Sequence, residues 1–301
     1  MINIMYHYIR PHDKEYPNFN YLDFDVFKRQ LDFFEKKFGF LSKEEYIEAV
    51  KSKHNADGVV LSFDDGFIDH YQYAAQELKD RNLWGVFYIP TGALKKNTEL
   101  LGVHRVHFLN GKYGASKILK ESLNLIDINM LEDEMIKEFD KEIYQFSDYE
   151  NNSKELRRLF NYYLKYGHRD EILDILMSQY FNETELHNHT YLNVDQIREM
   201  SNQGNLIGSH TENHKVLSRL TYEEQLYEIR SSFNYLSEIC ELEYKTFCYP
   251  YGYRSSYNND TLKILEEEAI DEAVIFDNRH QDDIRDKYQL SRIDCNNFMD
   301  V

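Results

Sequence analysis

Apolar positions along the first third of the chain come alternately in short runs and in helical stripes. Residues 1–9 form an apolar run with few polar interruptions, which reads as a strand. After an aromatic, proline-containing loop, Phe24, Phe27, Leu31, Phe34 and Phe38 recur at intervals of three and four, the stripe of an amphipathic helix. Ser42 is placed to cap a second, shorter helix. A second apolar run, residues 59–63, predicts a buried strand that ends in Asp64, Asp65 and Gly66, and helical spacing resumes over residues 67–79. Residues 84–90 make a third strand. Strand and helix alternating in this order predict a parallel α/β sheet or barrel.

The alternation stops between about residues 95 and 191, where helical stripes replace it. Leu131, Met135, Ile136, Phe139, Ile143 and Phe146 form one stripe, and Leu156, Leu159, Phe160, Tyr163 and Leu164 another. Residues 95–191 are therefore expected to be a helical insertion within a single domain spanning 1–301, packed over one end of the barrel. Beyond it come a helix at 193–201 and a strand at 205–209. A long helix follows at 221–239, opened by the capping box of Thr221 with Glu224. A strand at 244–248, a turn at 249–252, a helix at 257–268 and strands at 273–276 and 289–293 complete the pattern.

Composition narrows the function. The 301 residues carry a formal net charge of −18 with 15% aromatics, the profile of a folded acidic protein. No basic cluster offsets that charge, so a nucleic-acid partner is disfavoured. No segment approaches the roughly eighteen apolar residues of a membrane span. The N-terminus lacks the basic and small-residue features of a signal peptide. The three cysteines, Cys240, Cys248 and Cys295, are scattered and odd in number. Together these features lead to the expectation of a cytoplasmic protein with reduced thiols.

Two sequence features carry chemistry. Asp64 and Asp65 end a buried strand, from which neighbouring side chains project to opposite sides; an Asx turn capping the next helix would also use them. His210 and His214 follow the strand at 205–209 and can reach one metal ion from a tight turn, with a carboxylate from another strand completing a facial set of three. A chance pair on a polar loop is the alternative for these histidines. Their position directly after a buried strand, beside a second strand ending in Asp-Asp, favours the metal.

These residues bring a family into view. Ser62-Phe63-Asp64-Asp65-Gly66 and His210-Thr211-Glu212-Asn213-His214 resemble the first two motifs of the polysaccharide deacetylases, the NodB-homology enzymes of carbohydrate esterase family 4. Residues 247–252 are similar to the third motif. The resemblance covers roughly residues 1–95 and 193–301, and it implies a distorted, incomplete (β/α) barrel. It further implies that Asp65, His210 and His214 bind a divalent metal, usually zinc, and that Asp64 is the general base. A bound cation can bring the pKa of water from 15.7 toward about 7, and a positioned base contributes about 10² to 10⁴ in rate.

Two positions depart from the family pattern. Cys248 stands where many members carry the third-motif arginine that orients the base, and the late segment around Leu290 lacks the family's histidine acid. A branch acting on poly-N-acetylglucosamine places its acid in a Met-Tyr-His near the start of the barrel, and this chain has Met5-Tyr6-His7. His7 is the expected acid, since an imidazole titrates near neutrality; a structural histidine at a strand end is the alternative. Arg292, on a late strand, is placed to pair with Asp64 instead of the absent arginine, or else to form a surface ion pair. The resemblance makes the backbone N–H of Tyr251 the oxyanion donor. His104 and His107 are either structural or contacts for an anionic sugar or phosphate, and His187, His189 and His280 have no assigned role.

The expected reaction is deacetylation of an N-acetylated sugar, a soluble, nucleotide-linked or lipid-linked precursor of a bacterial surface polysaccharide. Hydrolysis of a non-sugar amide is an alternative, as is a barrel that only binds glycan or a partner. The missing arginine and histidine favour the binding module, and the intact Asp64, Asp65, His210 and His214 oppose it.

Overall fold

A computed structural model describes residues 1–95, 98–132, 151–277 and 286–301. The stripe positions Met135, Ile136, Phe139, Ile143 and Phe146, and His280, lie outside the described residues. The chain divides into two compact units: Met1–Pro11, Tyr21–Lys95 and Thr190–Val301 make the first, and His12–Asn20 with Lys96–His189 the second.

The first unit holds the strands β1 (Ile2–Tyr6), β2 (Ile9–Arg10), β3 (Leu22–Asp23), β4 (Val59–Phe63), β5 (Val86–Ile89), β6 (Leu206–Ser209), β7 (Thr246–Cys248), β8 (Glu272–Phe276) and β9 (Leu290–Asp294). Among the described residues, seven of them form a closed parallel barrel in the order β1, β4, β5, β6, β7, β8, β9. The seam is β9 against β1, paired at Ile4 with Ile293 and Met5 with Asp294. Seven strands rather than eight make this the expected incomplete (β/α) barrel, and its ladder closes nonetheless. The thinnest joint is β6 to β7, paired only through Ser209 and Phe247.

Strand residues alternate between two cores, as a barrel requires. Val60, Val86, Tyr88, Cys248, Val274 and Leu290 belong to the inner cluster. The opposite phase, including Ile4, Tyr6, Leu61, Phe63, Phe87, Ile89 and Ile207, packs with Phe27, Leu31, Phe34, Ile197 and Leu236 of the surrounding helices. Gly208 is needed inside, because a Cβ there would lie 2.5 Å from the ring of Tyr88. Deeper in the barrel Tyr46, Tyr244 and Thr246 donate to the buried carboxyl of Glu272. Burial outweighs these bonds and pushes its pKa up to about 7.

The helices start where their caps are. Phe24–Lys37 begins after Asp23, Lys43–Ser52 after the Ser42–Glu45 capping box, and Tyr222–Ile239 after the Thr221–Glu224 box. The helical spacing over residues 67–79 is met by a continuous helix from residue 68 to 80, whose middle, His70–Ala75, is π-helical before the α-helical end Gln76–Asp80. At its start the Ile68 N–H donates to the Thr190 carbonyl, and just before it the Gly66 carbonyl accepts from Leu192. No helix among the described residues is long and apolar enough to cross a membrane.

The second unit is helical, with Gly102–Tyr113, Ala115–Leu123, Asn151–Arg158, Tyr166–Tyr180 and Glu183–Asn188. A π-helical turn at Leu159–Tyr163 shifts the phase of the expected stripe, so Tyr162 is buried where Tyr163 was predicted. Arg105 is buried and holds Glu183 and Asp174 at 2.6 and 2.8 Å. His104 is fully buried in the same unit, a position suited to packing rather than to contact with a solute.

Candidate active site

The motif residues gather because they follow the C-terminal ends of barrel strands, the end where (β/α) barrels carry their sites. His7 follows β1, Asp64 and Asp65 follow β4, His210 follows β6, and Tyr251 lies just past β7. Their loops are bent sharply. Asp65, Thr211, His214 and Tyr251 adopt left-handed backbone conformations, with φ of 80°, 63°, 54° and 67°. Non-glycine residues held this way cost on the order of 1–3 kcal/mol each and collect at functional sites.

Asp64 continues the phase of Val60 and Ser62 and turns toward Arg292, which arrives from β9. The guanidinium grips the carboxylate through both oxygens, with Nη1 to Oδ1 and Nη2 to Oδ2 each at 2.7 Å. Both side chains are almost wholly buried, so this is not the surface ion pair considered as the alternative. The same guanidinium lies 3.0 Å from Cys248 Sγ, at the position where the third-motif arginine was expected and is absent. Burial by itself would raise the Asp64 pKa. The charge and hydrogen bonds of Arg292 outweigh it and hold the carboxyl at about 2.

Asp65 turns away from its neighbour and meets the histidine pair. Its Oδ1 lies 3.3 Å from His214 Nε2 and 3.6 Å from His210 Nε2. The three donor atoms all fall within 4.8 Å of one another. Donors about 2.0–2.2 Å from a tetrahedral ion stand about 3.3–3.6 Å apart, so the set fits a divalent cation. The protonation states agree. Burial and the neighbouring His214 bring the His210 pKa down to about 4, leaving a neutral ring. Its Nδ1–H donates to the Cys248 carbonyl at 2.8 Å, which directs the Nε2 lone pair to the cluster. Asp64, His210 and Cys248 form a second close group. It is a poor ligand set, because Asp64 is committed to Arg292 and burial keeps the Cys248 thiol protonated.

Sequence reasoning missed the residue that holds the histidine loop. Glu228, buried on the helix Tyr222–Ile239, accepts from the backbone N–H of Glu212 and Asn213 at 3.1 and 2.7 Å and from the Asn213 side chain at 2.9 Å. On the other side Thr91 and Gly92 donate to the carbonyls of Thr211 and Glu212. Gly92 is required for that approach, since a Cβ there would lie 2.5 Å from the Glu212 oxygen. The signal was present as a glutamate inside the buried stripe Gln225, Glu228, Ile229, Ser232, Phe233 and Leu236.

His7 stands at the edge of the cluster, its Nε2 4.0 Å from Asp64 Oδ2 and its side chain 43% exposed. Its backbone carbonyl accepts a hydrogen bond from His70. The Tyr251 ring lies 5.0 Å from that of His214. Carboxylate, candidate metal-ligand set and imidazole thus lie together past the C-terminal ends of the barrel strands, an arrangement able to activate water and to deliver a proton.

Comparison with known proteins bears on the fold and on part of the chain. The family model for polysaccharide deacetylase matches residues 167–272, which include His210, His214 and Tyr251. The fold is similar to a Streptococcus pyogenes deacetylase, PplD, solved in complex with acetate, with a TM-score of 0.60 and 20% identity over 98% of this chain and 91% of that one. It is also similar to a de-N-acetylase from Aggregatibacter actinomycetemcomitans (TM-score 0.56, 15% identity, 97% and 93% covered). IcaB from Ammonifex degensii is a third (TM-score 0.52, 16% identity, 97% and 90% covered). A comparison with curated protein sequences gives no match. Over residues 167–272 the chain therefore matches the polysaccharide deacetylase family model, and over nearly its whole length it has the fold of these three solved structures.

Proposed function

We propose that this protein is a metal-dependent deacetylase that hydrolyses the acetamide of an N-acetylated sugar in a polysaccharide. The observation that carries this reading is the division of labour between adjacent carboxylates: Asp65 faces the two histidines while Asp64 faces Arg292. Asp65, His210 and His214 would hold the cation, zinc by analogy with the family. A divalent ion in that position supplies Lewis acidity toward the acetyl carbonyl and toward water.

The remaining roles fall to the chain's own side chains. Arg292 keeps Asp64 ionised at neutral pH and fixes the plane of its carboxylate, so the base is always in its acceptor state. The same grip makes Asp64 a weak base, and the water it deprotonates must be acidified by the site. His7, on the cleft's exposed edge, gives a proton to the departing amine. The backbone N–H of Tyr251 is assigned to the oxyanion of the tetrahedral intermediate. A polymer is the preferred substrate over a nucleotide- or lipid-linked precursor, because the matching family model is one for polysaccharides.

Acetate release from N-acetylated oligosaccharides, N-acetyl sugar nucleotides and non-sugar amides tests the reading. Oligosaccharide deacetylation that disappears on chelation and returns with zinc is expected. A protein that takes up no metal and releases no acetate from any of these would instead be a binding module. Two variants probe the parts. His7→Asn should lower amide turnover by about 10²-fold or more with metal content unchanged; near-normal turnover refutes the acid role. Glu228→Gln should weaken metal affinity by about 10- to 100-fold, as loss of an outer hydrogen-bond partner does, measured by competition with a chromogenic chelator.

A further inference from the structure

The turn that follows the acidic motif is also the clamp for the segment that carries His7, and we infer that His70 is a positioning residue for the acid. The inference deepens the proposed function and rests on its assignment of His7. His70 has no solvent exposure, and its ring lies among Phe63, Phe67 and Phe87 at centroid distances of 5.6, 5.7 and 5.9 Å. An imidazole in such surroundings carries a desolvation cost that a phenyl ring would not. Only one of its nitrogens is compensated. Nε2–H donates to the His7 carbonyl at 2.8 Å, and Nδ1 has no hydrogen-bond partner among the described residues. A donor to a carbonyl requires the proton on Nε2, and burial favours the neutral ring, with its pKa brought down to about 4.

The neighbours of His70 grip the same segment. Asp69, also buried, takes Arg10 through Nε at 2.8 Å and Nη2 at 3.0 Å. Phe67 stacks on Tyr8 with ring centroids 3.8 Å apart and planes at 17°. Three residues of one turn, Phe67, Asp69 and His70, therefore hold Tyr8, Arg10 and His7. The turn begins two residues after Asp65, so the loop that presents the carboxylates also locates the imidazole. A shift of about 1 Å in a catalytic group can cost about 10²-fold in rate, and His70 is the contact of the three that acts on residue 7 itself.

The experiment separates proton donation from every other step. An N-acetylated oligosaccharide needs a proton on its leaving amine, whereas 4-nitrophenyl acetate releases a phenolate that leaves without one. His70→Phe, which suits the aromatic surroundings, should lower amide turnover at least about tenfold, in the manner of a displaced acid. Ester turnover, metal content and melting temperature should stay near those of the parent. His70→Gln, whose amide can donate from a comparable position, should recover most of the loss, and His70→Leu serves if phenylalanine proves too large to fold. Equal loss with both substrates, no loss with the amide, or no recovery by glutamine overturns the inference. Failure of the acid assignment is distinguishable, because it shows in His7→Asn itself as undiminished amide turnover.

Discussion

Asp64→Asn should reduce amide and ester turnover alike by about 10² to 10⁴, while the protein still takes up its metal. The substitution keeps the shape of the side chain and removes its capacity to accept a proton. Asp65, His210 and His214 are untouched, so metal content measured by mass spectrometry is the internal control. Stability should also fall. An amide nitrogen would face the guanidinium of Arg292, now a buried charge with its partner gone, and breaking a buried pair costs about 3–5 kcal/mol. Assays below the variant's melting range separate the two effects. Turnover within tenfold of the parent would remove Asp64 from the role of base.

Arg292→Met should lower stability by a similar amount, about 3–5 kcal/mol, by leaving the Asp64 carboxylate buried without its counter-charge. Its consequences extend to pH dependence. In the parent, Asp64 is depressed from 3.8 to about 2, so its contribution is complete above pH 3.8 and is lost as pH falls through about 2. That contribution is on the order of 2–3 kcal/mol. In Arg292→Met burial is opposed only by the weaker attraction of His210 and His7, the carboxyl pKa rises, and the loss of stability between pH 4 and pH 2 should flatten. Arg292→Lys should not restore the parent, since an ammonium cannot span both carboxylate oxygens. Denaturant melts at pH 2, 4 and 7 measure all three proteins. An unchanged acid limb in Arg292→Met would show that the pair does not set the Asp64 pKa.

Much of the barrel could be read before any coordinates, for local reasons. Strands such as residues 59–63 are short, mostly apolar runs, and the caps at Ser42 and Thr221 are local patterns that announce their helices. The roles of His70 and Glu228 could not be read in this way, because each is defined by a partner that is distant in sequence. His70 meets residue 7, and the π-helical turn that presents it shares the spacing of an ordinary helix. Glu228 caps a loop fifteen or sixteen residues upstream. Arg292 was a candidate only because a gap at Cys248 invited a search for a substitute. Its approach to 3.0 Å of that thiol depends on barrel closure, which no local pattern encodes.

That closure also sets an order of assembly. Asp64 directly follows β4 and Arg292 lies on β9, with β1 between these strands in the barrel, so the ion pair spans a strand that touches both. On the ribosome, residues 7, 64, 65, 210 and 214 are all made well before residue 292. A nascent chain therefore holds the proposed metal ligands while Asp64 still lacks its counter-ion. The Asp64 carboxylate acquires the counter-charge that offsets its burial only when β9 docks against β1, which would tie the onset of the proposed activity to completion of the barrel.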